Sequence, residues 1–205
     1  MYLYQLWVRL WHFVNAILIL ILIFTGVIMQ FTSAESQLLI VLFPGSVRLH
    51  DIVAIMLTIS YMTFVTGNII SGNGKYYKVT GKDLFPNSGR QLKYYLWGMF
   101  RKERKPFPVT MDNKFNPLEK VTYVLIMYIA LPLLIFSGIV KLIPDMAILN
   151  VFGTGIYMVI DVLHIVLGFL ISLFLIIHIY TCTISPKPGS HFRSIISGYQ
   201  ESEEQ

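Results

Sequence analysis

Long apolar stretches dominate the chain, and they predict four helices that cross a membrane. A helical crossing of a bilayer needs about twenty predominantly apolar residues. Four stretches reach that length with very few charges, and they run from Leu6 to Phe31, from His50 to Ile70, from Val121 to Ile143 and from Ile156 to Ile184. We therefore expect an all-α integral membrane four-helix bundle that forms one domain over residues 1–205.

The composition supports a membrane protein and narrows the metal chemistry. Hydrophobic residues make up 55% of the chain and charged residues 13%, whereas about 25% of the residues of soluble domains are charged. The single cysteine, Cys182, excludes an intrachain disulfide, a four-cysteine zinc site and a cysteine-bound iron–sulfur cluster within this chain. Any metal would therefore have to bind through histidine.

Basic residues concentrate between the second and third predicted spans. Residues 71–118 hold ten of the sixteen Lys and Arg residues, namely Lys75, Lys78, Lys82, Arg90, Lys93, Arg101, Lys102, Arg104, Lys105 and Lys114. The first outer connection, around Thr32 to Leu49, offers only Arg48, and the last, around Pro144 to Gly155, offers none. By the positive-inside rule, the long loop and both termini are expected in the cytoplasm. The net charge of +5 then reflects topology and indicates no nucleic-acid partner.

Within that loop, Arg90 to Lys102 mixes apolar and basic side chains in a pattern typical of a membrane-surface helix. The apolar members are Leu92, Tyr95, Leu96, Met99 and Phe100. Such a segment buries its apolar side chains in the headgroup region while its cations meet anionic lipid. We therefore predict a short amphipathic helix that anchors the loop to the inner leaflet.

Four of the five histidines lie within or at the ends of the predicted spans, and their depths match in two pairs. His12 and His178 fall in the inner halves of the first and last spans, and they are called the inner pair here. His50 opens the second span and His164 lies in the outer half of the last, and they are called the outer pair. His164 and His178 are fourteen residues apart, which turns a helix by about 1400° and advances it by about 21 Å. Both imidazoles therefore share one helix face at two depths.

Two depth-matched histidine pairs point to two haem groups. Ionisable side chains inside a bilayer are costly and usually face the bundle interior for a functional reason. Neutral imidazole is a standard axial ligand of haem iron, and two imidazoles occupy both axial positions, which leaves electron transfer as the chemistry. We predict that His12 and His178 hold an inner haem b and that His50 and His164 hold an outer haem b. No catalytic residue is predicted.

Other interpretations of the histidines stay open at this point. Isolated histidines can simply form hydrogen bonds between helices. A haem-free transporter could use them as a proton relay, although no pair of broken helices in matching halves supports that class. A third alternative is a stand-alone transmembrane metal or ascorbate reductase that works with no partner subunit.

Short motifs around the histidines resemble those of a known family. The segments Trp7 to His12 and Val47 to His50, together with His164 and His178 in one helix, resemble the b-type cytochrome subunits of membrane-bound nickel–iron hydrogenases. The same frame is similar to the gamma subunit of respiratory formate dehydrogenase and to thiosulfate reductase cytochrome b. The resemblance implies a subunit of the bacterial cytoplasmic membrane that passes electrons between an extracytoplasmic iron–sulfur subunit, with its catalytic subunit, and menaquinone or ubiquinone. A formate dehydrogenase or a thiosulfate or polysulfide reductase is the alternative partner.

The resemblance also suggests a quinone site ahead of the third span. The formate dehydrogenase relative has an Asn-x-x-Gln-Lys stretch against its quinone, and residues 116–120 here read Asn-Pro-Leu-Glu-Lys. Asn116 could donate a hydrogen bond to a quinone carbonyl, and Glu119 could carry a proton. The same two residues also fit a helix N-terminus, with Asn116 as N-cap and Glu119 three residues on.

Two kinds of charged residue flank the histidines. Arg9 precedes His12 by three residues and is a candidate contact for a haem propionate, or a positive-inside anchor. Asp51 and Asp161 lie beside the outer pair. We expect both aspartates to be solvated at the outer interface rather than to form a proton relay.

Overall fold

The structure is a computed structural model, and it describes residues 2–101, 103–108, 110, 114–143, 150–151, 154–183 and 189–199. Three parts of the predictions lie outside these residues. They are Ile184 at the end of the fourth predicted span, Lys102 at the end of the predicted surface helix, and most of the last outer connection.

Among the described residues, four helical segments are long and apolar enough to cross a membrane. They are α1 (Leu6–Phe31), α2 (Gln37–Ile70), a third span over Pro117–Lys141, and α6 (Ile156–Thr183). A two-residue antiparallel pair, β1 (Asn150–Val151) and β2 (Thr154–Gly155), precedes α6. The predicted all-α membrane fold with four spans is confirmed.

The second span begins earlier than the sequence pattern indicates. α2 starts at Gln37 and passes through Pro44 without ending, so His50 lies thirteen residues after its first residue. The prediction that this span opens at His50 is therefore wrong. Proline removes one backbone hydrogen bond and strains the preceding turn, but the apolar residues on both sides of Pro44 sustain the helix. With 34 residues, α2 is about 51 Å long and exceeds the roughly 30 Å hydrocarbon core.

The third span changes its helical form in the middle. It consists of α4 (Pro117–Leu125), a wider π-helical stretch over Ile126–Ala130, and α5 (Leu131–Lys141). The π-helical stretch ends just before Pro132. Such widened turns accompany prolines, because the ring has no N–H to donate and needs space against the preceding turn.

The predicted surface helix is present, and it begins before Arg90. Helical turns run without a break from Asp83–Asn87 through α3 (Ser88–Lys93) and Tyr94–Gly98 to Met99–Arg101. Three of its apolar side chains point outward, since Leu92, Leu96 and Phe100 are 47%, 54% and 72% exposed, while Gln91 and Tyr94 are buried. An apolar outer face suits contact with lipid.

The chain forms two compact units. The first, called the span unit, comprises residues 6–65 and 131–180, and therefore includes parts of all four spans. Its packing is fixed in part by Trp11, whose ring stacks on Phe64 at 4.3 Å and whose indole N–H donates to the carbonyl of Ser60 at 2.9 Å. These contacts hold α1 against α2.

The second unit, called the loop unit, comprises residues 1–5, 66–130 and 181–205. It contains the surface helix, the first half of the third span and a short helix, α7 (Ser190–Ser197). Its two chain-terminal segments are joined, because the N–H of Leu3 donates to the carbonyl of Gly198 at 2.9 Å and Tyr2 pairs with Tyr199.

Candidate functional site

The structure brings the four span histidines together in pairs within the span unit. The ring centroids of His12 on α1 and His178 on α6 are 6.3 Å apart, with the ring planes at 55°. The centroids of His50 on α2 and His164 on α6 are also 6.3 Å apart, with the planes at 67°. These are the same inner and outer pairs that the sequence predicts. That they ligate haem remains a prediction.

The spacing within each pair fits one metal ion between two imidazoles. A metal–imidazole bond of about 2.0 to 2.1 Å, with the ring centroid about 1.1 Å beyond the nitrogen, separates two opposed rings by about 6.3 Å. Among the described residues, no set of three or more His, Cys, Asp or Glu side chains is placed to hold a metal ion. Two imidazoles with no further protein ligand in the part of the chain that the structure describes suit haem, because the porphyrin itself would supply four nitrogens.

The two histidine pairs lie at different levels along α6, which contributes one member to each pair. His164 and His178 both belong to α6, which runs from Ile156 to Thr183 without interruption. Fourteen residues of α-helix correspond to about 21 Å along its axis. The pairs are therefore far enough apart for two separate haem groups and close enough for both to lie within one bilayer.

The outer pair is held by two buried hydroxyl groups that the sequence analysis did not identify. The Oγ1 of Thr25 lies 2.8 Å from Nδ1 of His50, and the Oγ of Ser137 lies 2.9 Å from Nδ1 of His164. Thr25 is 1% exposed and Ser137 is completely buried. A hydroxyl residue in an apolar span at the depth of the outer histidines is the sequence signal that could have pointed to them.

Glycines next to these hydroxyl residues lie against the same imidazoles. A Cβ on Gly26 would lie 3.6 Å from Cε1 of His50, and a Cβ on Gly138 would lie 3.3 Å from Cε1 of His164. The second distance is shorter than ordinary van der Waals contact. Gly138 therefore allows a close approach of the His164 ring to α5.

The inner pair has a different environment. The ring of Phe174, one turn before His178, stacks on the imidazole with the centroids 5.6 Å apart and the planes at 24°. Nδ1 of His12 and Oδ1 of Asn15 are buried and have no hydrogen-bond partner among the described residues. The inner pair thus lacks, at least on His12, the hydroxyl contact that both members of the outer pair have.

The charged residues near the pairs take the following positions. Arg9 lies half-buried on α1, one turn before His12, and its contact with a propionate remains a prediction. Asp161 forms an ion pair with Lys141 at the end of α5. Asp161 is predicted from the sequence to be solvated, and 45% of its side chain is exposed, but the sequence does not predict its ion-pair partner. Asp51 is half-buried on α2.

Asn116 and Glu119 lie in the loop unit and form the predicted cap of α4. The N–H of Glu119 donates to Oδ1 of Asn116 at 2.9 Å, and Oε2 of Glu119 accepts from the N–H of Asn116 at 3.1 Å. This reciprocal pair satisfies two backbone donors at the helix start. Pro117 occupies the first helical position, as the capping interpretation predicts.

The cap is connected to the surface helix through Tyr95. The side-chain amide of Asn116 donates to the hydroxyl of Tyr95 at 3.0 Å. Burial, followed by the nearby Glu119, raises the pKa of Tyr95 to about 12. Tyr95 is therefore a neutral phenol at physiological pH. Quinone binding by Asn116 and Glu119 remains a prediction.

Comparison with known proteins identifies the family. A family model described as prokaryotic cytochrome b561 matches residues 3–198. The Escherichia coli (strain K12) protein named "Putative cytochrome YdhU" is 34% identical over 198 residues, which cover 97% of this chain and 74% of that protein. No solved structure matches the chain significantly. The chain therefore belongs to the prokaryotic cytochrome b561 family and is a multi-pass cytochrome of the bacterial inner membrane that carries haem b.

Proposed function

We propose that this cytochrome is a dihaem subunit that relays electrons between an extracytoplasmic iron–sulfur oxidoreductase and the quinone pool. The observation that carries the proposal is the geometry of the two histidine pairs. In each pair the ring centroids are 6.3 Å apart, and α6 contributes one histidine to each pair. His12 and His178 would hold one haem through their imidazoles, and His50 and His164 would hold the other. Haem held by two imidazoles would transfer single electrons and would leave no open site for oxygen or substrate.

The chain's own residues fix where the two redox groups sit. α6 supplies one ligand to each haem, so the two groups keep a constant separation along it. α1 supplies the second ligand of the inner pair and α2 that of the outer pair. A separation of about 21 Å carries electrons across most of the roughly 30 Å hydrocarbon core.

The partner proposed for the extracytoplasmic side is a nickel–iron hydrogenase. Its support is the resemblance of the segments Trp7 to His12 and Val47 to His50 to the cytochrome subunits of those enzymes. A formate dehydrogenase or a thiosulfate or polysulfide reductase uses the same histidine frame. Copurification in mild detergent distinguishes them, because a nickel–iron subunit would support the proposal and a molybdopterin enzyme would contradict it.

The quinone end is proposed at the start of the third span. Asn116 has a second amide N–H beyond the one given to Tyr95, and Glu119 has a second carboxylate oxygen beyond the one in the cap. An amide donor beside a carboxylate can bind a quinone carbonyl and supply a proton. Both groups therefore serve the cap and the quinone at once.

The number of haem groups per chain tests the central part of the proposal. We expect two haem b per wild-type polypeptide, measured as the pyridine haemochrome against protein concentration. His164→Ala should remove the outer haem and His12→Ala the inner one, with sharp reduced α and Soret bands remaining at half intensity. His191 belongs to neither pair, so His191→Ala serves as the control and should leave two haem groups per polypeptide.

Other results would contradict the proposal in distinct ways. A wild-type chain with one haem would contradict the dihaem state and leave a single-haem cytochrome. A protein that keeps both haems after loss of either His12 or His164 would contradict the assignment of the ligands.

A further inference from the structure

A short motif recurs on the first and third spans, and each copy faces a histidine of the following span. Thr25-Gly26 on α1 lies against His50 of α2, and Ser137-Gly138 on α5 lies against His164 of α6. In both copies the hydroxyl meets Nδ1 and the glycine meets Cε1 of the same ring. The hydroxyl and its histidine are 25 residues apart in the first copy and 27 in the second.

The backbone contacts of each hydroxyl favour one direction for its hydrogen bond with the imidazole. Thr25 donates its only hydroxyl proton to the carbonyl of Ile21 at 2.8 Å, with Leu22 at 3.2 Å as a second acceptor. Ser137 donates its proton to the carbonyl of Leu134 at 2.9 Å. A hydroxyl whose proton is used in this way can only accept from a further partner. When the hydroxyl proton goes to the backbone carbonyl in this way, Nδ1 of each outer histidine carries a proton and donates it to the hydroxyl oxygen.

This arrangement selects one tautomer of each ring. A neutral imidazole has one N–H, so a proton on Nδ1 leaves the lone pair on Nε2. Nε2 of His50 and of His164 is then the atom available to bind a metal. Both accepting hydroxyl groups are held at fixed positions, since Thr25 and Ser137 are fully buried and bonded to their own helices.

We propose that Thr25 and Ser137 are positioning residues of the outer haem, which lock both axial imidazoles in the Nδ1-protonated form and increase their donor strength. This inference rests on the proposed function, because it requires that His50 and His164 ligate iron. A hydrogen bond accepted from Nδ1–H makes the imidazole a stronger ligand. Stronger axial donation favours the oxidised iron and lowers the midpoint potential of the outer haem.

The same feature distinguishes the two haem groups. Nδ1 of His12 is buried with no hydrogen-bond partner among the described residues, so this inner ligand lacks the hydroxyl contact. The axial ligands should therefore give the outer haem the lower midpoint potential. Removing the hydroxyl groups should change the midpoint potential of the outer haem only.

The test is a redox titration of the purified full-length protein carrying both haems. Thr25→Val and Ser137→Ala remove the hydroxyl groups with little change of shape. Thr58→Val and Ser172→Ala are matched controls, because these residues donate to backbone carbonyls of their own helices at 2.8 Å and form no hydrogen bond with a histidine among the described residues. Electron paramagnetic resonance of the oxidised protein reports the orientation of the axial imidazoles independently of electron-transfer activity.

We expect Thr25→Val and Ser137→Ala each to raise the midpoint potential of one haem and to shift its low-spin signal. The affinity for the outer haem should fall by about 10- to 100-fold, as for other partners of metal-bound histidines. The midpoint potential and low-spin signal of the inner haem should be unchanged in these variants, and those of both haems should be unchanged in the two control variants. Thr25→Ser, which keeps the hydroxyl, should restore the wild-type potential.

Two outcomes would overturn the inference while the proposed function stands. One is that potential and signal stay at wild-type values in both hydroxyl-free variants. The other is that both haems shift equally. If Thr25→Val loses the outer haem, retention of that haem in Thr25→Ser supports the inference and its loss contradicts it. Failure of the proposed function is recognised separately, because His164→Ala would then leave the haem content unchanged.

Discussion

At the scale of single residues, the outer histidines are fixed more firmly than the hydropathy of the chain alone would suggest. Each ring contacts a buried hydroxyl through one atom and a glycine through another. The hydroxyl sets the rotation of the ring, and the glycine sets how close the ring lies to the neighbouring helix. The two contacts together leave the imidazole little freedom.

The glycine contacts lead to a graded prediction. Gly138→Ala places a methyl group 3.3 Å from His164, whereas Gly26→Ala places one at 3.6 Å from His50, an ordinary contact distance. We expect Gly138→Ala to destabilise the outer site by about 1 to 3 kcal/mol through overpacking and Gly26→Ala by less. Thermal loss of the outer haem absorbance measures the effect.

Gly45→Ala provides the matched control for this pair, because a Cβ at that position meets nothing within 4 Å. Its outer haem absorbance should be lost at the same temperature as in the wild type. Equal losses at Gly26, Gly45 and Gly138 would show that the imidazole contacts do not matter.

The histidine pairing could be predicted from the sequence, and the hydroxyl contacts could not. Hydropathy and loop charge place each histidine at a depth, and depth alone sorts four histidines into two pairs. Whether Thr25 reaches His50 depends on how α1 is rotated about its axis, and an almost uniformly apolar span carries no pattern that fixes this rotation. The ion pair of Asp161 with Lys141 escaped prediction for the same reason.

At the scale of helices, the start of α4 combines a cap with a candidate quinone site. Asn116 and Glu119 satisfy each other's backbone N–H groups, and the Asn116 amide also holds Tyr95 of the surface helix. The capping motif was predictable because it depends only on residues three positions apart. The contact with Tyr95 spans 21 residues and depends on the path of the loop.

Glu119→Gln separates the two roles of this residue. Glutamine serves at the third helical position of a capping box as glutamate does, so the stability of α4 should change by only a few tenths of a kcal/mol. Glutamine cannot take up or release a proton. We therefore expect quinone-linked reduction or oxidation of the haems to slow by about 100-fold or more, measured by stopped-flow absorbance with a soluble quinol.

Asn116→Asp is the companion variant. Aspartate is as good an N-cap as asparagine but lacks the amide donor, so it should weaken quinone binding while the helix is kept. Unchanged quinone kinetics in both variants would argue that the quinone binds elsewhere.

The second span shows where local sequence signals mislead. Pro44-Gly45 is a strong break signal in water-soluble proteins, yet α2 continues through it. Ending the helix there would leave several backbone N–H and C=O groups without helical partners, whereas continuing it loses one backbone hydrogen bond at the proline. Continuing the helix is therefore less costly than ending it.

At the scale of the whole molecule, charge and apolar surface are divided between different regions. Lys and Arg residues gather in the loop between the second and third spans, while the spans expose large apolar side chains around their circumference, such as Phe24, Phe169 and Ile176. The division is that of a protein surrounded by lipid with one basic side. The four spans were predictable because length and hydropathy suffice for them.

The orientation of the protein can be tested with reporter fusions. We expect alkaline phosphatase to be inactive when joined after Gln205 and active when joined after Ser33 in the first outer connection, because the enzyme matures only outside the cytoplasm. A fluorescent protein that requires the cytoplasm should give the opposite result at the same positions. The reversed pattern at both positions would contradict the positive-inside assignment.

Both imidazole pairs draw one member from α6, the fourth of the membrane-length helices among the described residues. A ribosome that has made only the first three helices has therefore produced no complete pair at either level. Under the proposed ligation, haem binding can begin only after α6 has entered the bilayer, and a polypeptide halted before His164 would be colourless. The colour of the nascent product thus reports on whether α6 has been inserted.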